Sequence, residues 1–195
     1  MAHPLSKFAF CPACGSGRFM DNDEKSRRCA DCSFVYYLNP SSACVAVIVD
    51  GQGRLLVERR GREPGKGTLD LPGGFADFCE TVEEGLCREV LEETGLKVVS
   101  SEYLFSLPNE YFFSGFTIPT LDMFFRCEVA DASALQAGDD AADCFWLPLS
   151  EVKPEPTFLK AWKTVFQLPR TAARVTRWYW PSRANAIHIH ASTVC

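Results

Sequence analysis

Residues 73–96 read Gly73-Gly74-Phe75-Ala76-Asp77-Phe78-Cys79-Glu80-Thr81-Val82-Glu83-Glu84-Gly85-Leu86-Cys87-Arg88-Glu89-Val90-Leu91-Glu92-Glu93-Thr94-Gly95-Leu96. Thr81-Val82-Glu83-Glu84 fits a capping box, in which the Thr81 hydroxyl accepts from the backbone NH of Glu84. Val82, Leu86 and Val90 recur at four-residue steps and form the stripe a helix buries. Gly95 closes that helix as its C-cap. Glu89, Glu92 and Glu93 stand at i, i+3 and i+4, so they share one face, across from part of the apolar stripe. Like charges at this spacing destabilise a bare helix. Such a face is either well solvated or holds cations. Carboxylate oxygens suit Mg²⁺ or Mn²⁺, and those ions suit phosphate substrates.

Around this helix the chain reads as strands. Ala43–Val49 is an apolar run ended by the turn signal Asp50-Gly51-Gln52-Gly53, and Leu55–Glu58 follows, so the two are predicted to form a hairpin. A loop rich in glycine and charge, Arg59 to Gly67, leads to a short strand at Leu69–Leu71, which Pro72-Gly73-Gly74 stops. Val98–Phe105 and Leu121–Val129 read as strands, with a weaker one around Tyr111–Phe116. Asp131–Asp143 is a polar, alanine-rich loop before a short strand at Cys144–Leu147. Thr157–Gln167 is predicted helical.

Before the body lies a different pattern. Of the 10 cysteines, Cys11, Cys14, Cys29 and Cys32 form two C-x2-C turns and the other six are scattered singly. Each C-x2-C turn places two thiolates on one ion, and two such turns predict a zinc ribbon. Two disulfides or a redox pair are the alternatives, but neither turn has the strand-to-helix setting of a thioredoxin-like pair. A ribbon this small has little core, so the metal would supply most of its folding free energy. Its second turn ends in Ser33, where ribbons usually carry glycine. Asn39-Pro40-Ser41-Ser42 reads as a linker to the body.

The whole chain has 195 residues, 47% apolar and 23% charged, which excludes a disordered chain. No apolar run reaches the roughly 20 residues a membrane helix needs. Met1 to Phe10 does not read as a signal peptide, so the expected location is cytoplasmic. A net charge of −5 argues against nucleic-acid binding through bulk charge. The end of the chain departs from this balance. After Glu155 no acidic residue occurs, while Lys160, Lys163, Arg170, Arg174, Arg177 and Arg183 are basic and Trp178-Tyr179-Trp180 sit among them. This tail is expected to be loosely ordered, with contact to nucleic acid as the alternative.

Taken in full, Gly74-x5-Glu80-x7-Arg88-Glu89-Val90-x-Glu92-Glu93-x-Gly95-Leu96 resembles the Nudix box at every specified position, a 23-residue pattern of high specificity. The region after the ribbon resembles a Nudix domain in length and strand order, and the ribbon joined to it resembles the NADH pyrophosphatase-like branch. The resemblance implies an α+β fold, an α/β/α sandwich with a mixed sheet. The expected layout is a zinc ribbon over residues 1–40, a Nudix domain over 41–168 and the tail over 169–195. It implies that Glu89 and Glu93 ligate divalent metal, that Glu92 is a further ligand or the base, and that the Gly73 carbonyl adds a ligand. Arg88 would orient the glutamates, with Glu80 in support. A further carboxylate often comes from a late loop, where Asp140 and Asp143 stand; a solvated acidic loop is the alternative there.

The implied activity is hydrolysis of the pyrophosphate in a nucleoside diphosphate linked to another group. Arg59, Arg60, Arg62 and Lys66, in the loop before the box, are candidates to hold the diphosphate. Tyr111, Phe112, Phe113 and Phe116 are candidates to stack on a base; core packing is their alternative. Ser106-Leu107-Pro108-Asn109-Glu110-Tyr111 echoes the Ser-Gln-Pro-Trp-type motif of NADH pyrophosphatases but lacks its Gln and Trp. The expected substrate is therefore ADP-ribose, FAD or NAD(H), cleaved to release AMP, with Mg²⁺ or Mn²⁺ as cofactor and structural Zn²⁺. The rivals are a nucleotide sensor or nucleic-acid-binding regulator, and removal of a dinucleotide cap from RNA. A small-molecule nucleotide is the expected partner, with no membrane and no nucleic acid, and a homodimer is what the resemblance implies.

Overall fold

The computed structural model describes residues 3–63, 65–136 and 141–151. The predicted helix at Thr157–Gln167 and the tail over 169–195 lie outside them. The chain divides into two units. Of the described residues, one unit holds those up to Ser41 together with Glu110–Thr120, and the other holds those of Ser42–Asn109 and from Leu121 on.

The first unit is built on a three-stranded antiparallel sheet of β1 (Phe19–Asp23), β2 (Ser26–Cys29) and β3 (Val35–Tyr37). Its buried core cluster is no more than Cys11, Phe19 and Cys29, with Tyr36 packed beside them. The two C-x2-C turns close alike: the Gly15 NH donates to the Cys11 carbonyl at 2.8 Å and the Ser33 NH to the Cys29 carbonyl at 3.1 Å. Gly15 has φ 73° and Ser33 φ 63°, so Ser33 adopts the left-handed conformation its glycine counterpart takes without strain.

In the second unit, β4 (Ser41–Ile48) lies in a four-stranded sheet of order β7-β4-β9-β8, with β7 at Gly73–Phe75, β8 at Val98–Phe113 and β9 at Phe116–Val129. A three-stranded sheet has the order β10-β5-β6, with β5 at Arg54–Arg60, β6 at Leu69–Asp70 and β10 at Ala141–Pro148. The Asp50–Gly53 turn is present and reverses the chain, with Gly53 at φ 74°. The predicted hairpin is not: β4 and β5 enter different sheets and, among the described residues, pair only through an isolated bridge, Val49 to Leu55. Each strand finds longer partners elsewhere, β4 with β9 and β5 with β10.

Alternation along the strands fills two cores. Cys44, Ala46 and Ile48 of β4 join Leu56, Leu86, Val90, Leu96, Val98 and Phe125 in one. Val45 and Val47 join Leu55, Val57, Leu71 and Phe124 in the other. The helix α1 (Val82–Thr94) supplies Leu86 and Val90, both fully buried, each worth about 1.5–3 kcal/mol of burial. Its capping box is complete and Gly95 takes the left-handed conformation at φ 68°.

Two further expectations are corrected. The stretch around Tyr111–Phe116 is not a strand of its own. The flanking strands run on to Phe113 and restart at Phe116, with Ser114 at φ 50° and Gly115 at φ 72° making a two-residue turn. Pro108 and Pro119 inside these strands hide their length from a sequence reading. The pair Gly73-Gly74, read as a stop, is itself strand β7, paired antiparallel with β4.

Candidate metal centres and active site

The four-cysteine cluster is the simpler of the two, and its spacing fits a zinc ion. The sulfurs of Cys11 and Cys32 lie 3.7 Å apart and those of Cys14 and Cys29 3.6 Å, and all four lie within 4.8 Å of one another. A tetrahedral zinc with Zn–S of about 2.3 Å separates its sulfurs by about 3.8 Å. A disulfide would need about 2.05 Å, so the disulfide alternative fails. Cys11 and Cys29 are buried, Cys14 and Cys32 exposed.

The carboxylate site is made where α1 meets β7. Gly73 has φ 150°, and a Cβ there would overlap the Cys44 carbonyl oxygen. At Gly74 a Cβ would overlap the Glu89 carboxylate. Gly73 thus lets β4 close on β7, Gly74 lets the Glu89 carboxylate close on the strand, and the Gly73 NH donates to Glu93 Oε2 at 2.8 Å. A Gly73→Ala substitution combines backbone strain with overpacking against β4. It should cost about 2–4 kcal/mol, read as a lower midpoint of urea unfolding.

Arg88 ties the site together. Its Nε and Nη2 donate to the Glu80 carboxylate at 2.9 and 3.0 Å, Nη1 to Glu89 at 2.9 Å and to Glu92 at 3.2 Å, and Nη2 also to the Phe75 carbonyl at 3.0 Å. Glu80 in turn accepts from the Asp77 NH at 2.8 Å, and its pairing with Arg88 holds its carboxyl below the usual range. The three box glutamates do not share one environment. The Glu89 side chain is 17% exposed and Glu92 59%; Glu93 is half-buried.

Two carboxylates that sequence reading passed over lie at the same place. Glu58 on β5 and Asp70 on β6 face each other across the ladder, and both are buried. Asp70 accepts from Arg60 Nη1 at 2.9 Å and from the Leu71 NH at 2.9 Å. Glu58 Oε2 is buried and has no hydrogen-bond partner among the described residues. Burial first, then repulsion by Asp70 at Glu58 and by Glu58 at Glu93, raises both carboxyls well above the ordinary range. Burial also raises Glu89 and brings Asp70 up to about 6, against the pull of Arg60. The sequence signal was faint: Leu55–Glu58 reads as a strand ending in charge. The strand runs on to Arg60 with β10 on one side and β6 on the other, which makes β5 central and buries Glu58.

The remaining candidates fall as follows. Asp143 is exposed on β10 opposite Arg59; Asp140 lies outside the described residues. Arg59 donates to the Gly67 carbonyl at 2.9 Å and stands 5.9 Å from the Phe145 ring. Arg60 holds Asp70, and Lys66 is exposed on its loop. Tyr111 and Phe113 stack at 6.3 Å, on a hairpin tip that groups with the ribbon. In that unit Phe116 meets Phe8 edge-on at 5.4 Å and Phe8 stacks on Tyr36 at 6.0 Å.

Among the described residues, these buried and half-buried carboxylates, one with an orphaned oxygen, outnumber the cations that pair with them, Arg60 and Arg88, which suits a hard divalent ion. No helix among the described residues is long and apolar enough to cross a membrane.

Comparison with known proteins agrees with this chemistry. The NAD-capped RNA hydrolase NudC of Vibrio cholerae is 32% identical over 106 residues, 54% of this chain and 39% of that protein. The chain thus spans about two fifths of the NudC length. The ADP-ribose pyrophosphatase of Methanocaldococcus jannaschii is 37% identical over 121 residues, 60% of this chain and 66% of that one. The crystal structure of a MutT NUDIX hydrolase from Burkholderia pseudomallei superposes with a TM-score of 0.57 at 25% identity, over 66% of this chain and 97% of that one. That of a NUDIX hydrolase from Nitrosomonas europaea gives 0.60 at 22% identity, over 78% and 84%. The NUDIX domain matches residues 38–168, and the chain belongs to the Nudix family.

Proposed function

We propose that the protein is a divalent-metal-dependent pyrophosphohydrolase of ADP-ribose, FAD or NAD(H), cleaving between the two phosphates and releasing AMP. The observation that carries this is the approach of Glu89 and Glu93 to Gly73-Gly74, with Arg88 fixing Glu89 from the other side. Glu89, Glu93 and the Gly73 carbonyl would hold Mg²⁺ or Mn²⁺, with Glu92 as a further ligand or the base. When bound, the ion lowers the pKa of water and neutralises phosphate oxygens. Glu92 is the most exposed of the three, which supports it as the group that takes a proton from water. Lys66, exposed on the loop before the box, is the candidate for the diphosphate; Arg59 and Arg60 are candidates with existing partners. Tyr111 and Phe113 offer a stacked pair for a base. Asp143, with Asp140, is the candidate late carboxylate.

The names of the two curated relatives support the adenine-dinucleotide and ADP-sugar class. That of the NudC relatives favours a second reading, removal of a dinucleotide cap from RNA. A cytoplasmic location and a homodimer belong to the same proposal. Incubation of the full chain with ADP-ribose, FAD, NADH, ATP and NAD-capped RNA, each with Mg²⁺ or Mn²⁺, tests it by chromatography. AMP should appear from the first three, with little turnover of ATP. Turnover of ATP to AMP and pyrophosphate faster than any of them overturns the substrate class, and preference for capped RNA establishes the second reading.

A further inference from the structure

The carboxylates expected to hold the divalent ion all belong to the box or to the late loop. Glu58 belongs to neither, yet it lies at the same centre. It is 4% exposed, on the middle strand of β10-β5-β6. Its neighbours across the ladder are Asp70 and Cys144. Cys144 is itself tied to the end of α1, its Sγ 3.5 Å from the Glu93 carbonyl oxygen. The cation that could neutralise Glu58 from its own strand, Arg60, is ion-paired with Asp70 at 2.9 Å. The Glu93 carboxyl lies close enough to interact electrostatically with that of Glu58, and Glu58 Oε2 is buried with no hydrogen-bond partner among the described residues.

Two neighbouring carboxyls, one buried and one half-buried, are best stabilised by sharing a proton or a cation, because burying an uncompensated charge is costly. A shared proton would satisfy the contact but leaves Glu58 Oε2 orphaned. A cation satisfies both, since a carboxylate can ligate with either oxygen. We propose that Glu58 is a ligand of the divalent ion, entering from the central strand to meet the ion that Glu93 holds from the helix. This rests on the cation site of the proposed function, and extends it by a residue outside the box. It also assigns the Arg60–Asp70 pair a purpose. With Asp70 neutralised by Arg60, Glu58 is left for the ion.

The test uses the full zinc-loaded chain and Mn²⁺ as probe. Free Mn²⁺ is followed by electron paramagnetic resonance for wild type, Glu58→Gln and Glu93→Gln, and melting is recorded with and without Mn²⁺. Glu58→Gln should bind Mn²⁺ at least ~10-fold more weakly and lose most of the Mn²⁺-induced rise in melting temperature. Its metal-free melting should be unchanged or raised, because the cost of burying an ionisable carboxyl has gone. Wild-type affinity in Glu58→Gln, alongside weakened Glu93→Gln, overturns the assignment of Glu58 and leaves the cation site standing; the two acids then share a proton. Absence of Mn²⁺ binding by the wild type overturns both. Should Glu58→Gln fail to fold, anomalous scattering from Mn²⁺ in wild-type crystals decides alone. Density at ligand distance from Glu58 Oε2 supports the proposal, and density only at Glu89 and Glu93 overturns it.

Discussion

Glu93→Gln and Glu89→Gln should each cut turnover by at least ~100-fold, because each removes a charge that serves the metal at the transition state. Their structural consequences should differ from a core lesion. Glu93 lies against Gly73 and close to Glu58, in a cluster where burial and repulsion oppose ionisation. Glutamine removes that repulsion, so the metal-free Glu93→Gln protein should melt no lower than wild type. Glu89 is held by Arg88, which keeps Glu80 and Glu92 as partners when Glu89 is neutralised. Glu92→Gln should be milder, since its side chain is the most exposed of the three. Steady-state kinetics with Mg²⁺, alongside melting without it, checks all three. Full activity in either Glu89→Gln or Glu93→Gln would show that the metal assignment is wrong.

Loss of zinc should have the largest effect on structure. A core cluster of Cys11, Phe19 and Cys29 is too small to hold three short strands, whereas structural zinc contributes about 10–16 kcal/mol to domains of this kind. One equivalent of zinc should copurify with the chain. Its removal by a strong chelator, or a Cys29→Ser substitution, should unfold β1 to β3. The consequence should reach a segment distant in sequence. Glu110–Thr120 belongs to the ribbon's unit through Phe8 against Phe116 and through the hydrogen bond from Lys7 to the Gly115 carbonyl. Hydrogen exchange should therefore lose protection at both the ribbon and this hairpin tip, while the buried turns of α1 stay protected. Elemental analysis without zinc, or a hairpin tip indifferent to chelation, would sink this prediction.

What could be read without coordinates was local. The helix is specified by signals within a few residues of one another: the Thr81–Glu84 box, the four-residue apolar step and Gly95. The four-cysteine cluster is specified by two turns whose cysteines sit three positions apart. Both depend on backbone geometry that repeats wherever such spacing occurs, and both stand in the structure as expected. Pairing between distant strands has no such local mark. Nothing between Asp50 and Gly53 says that the strands it joins will part into different sheets. Pro108 and Pro119 argue for shorter strands than β8 and β9 prove to be, because a proline's cost depends on which edge of the ladder it faces. The two glycines of β7 read equally well as a turn until β4 and α1 are seen to close on them. Glu58 shows the same limit in chemical terms. Whether a carboxylate at the end of an apolar run meets water or a metal centre depends on which strands flank it. Only the pairing of β5 with both β10 and β6 buries Glu58 beside Glu93.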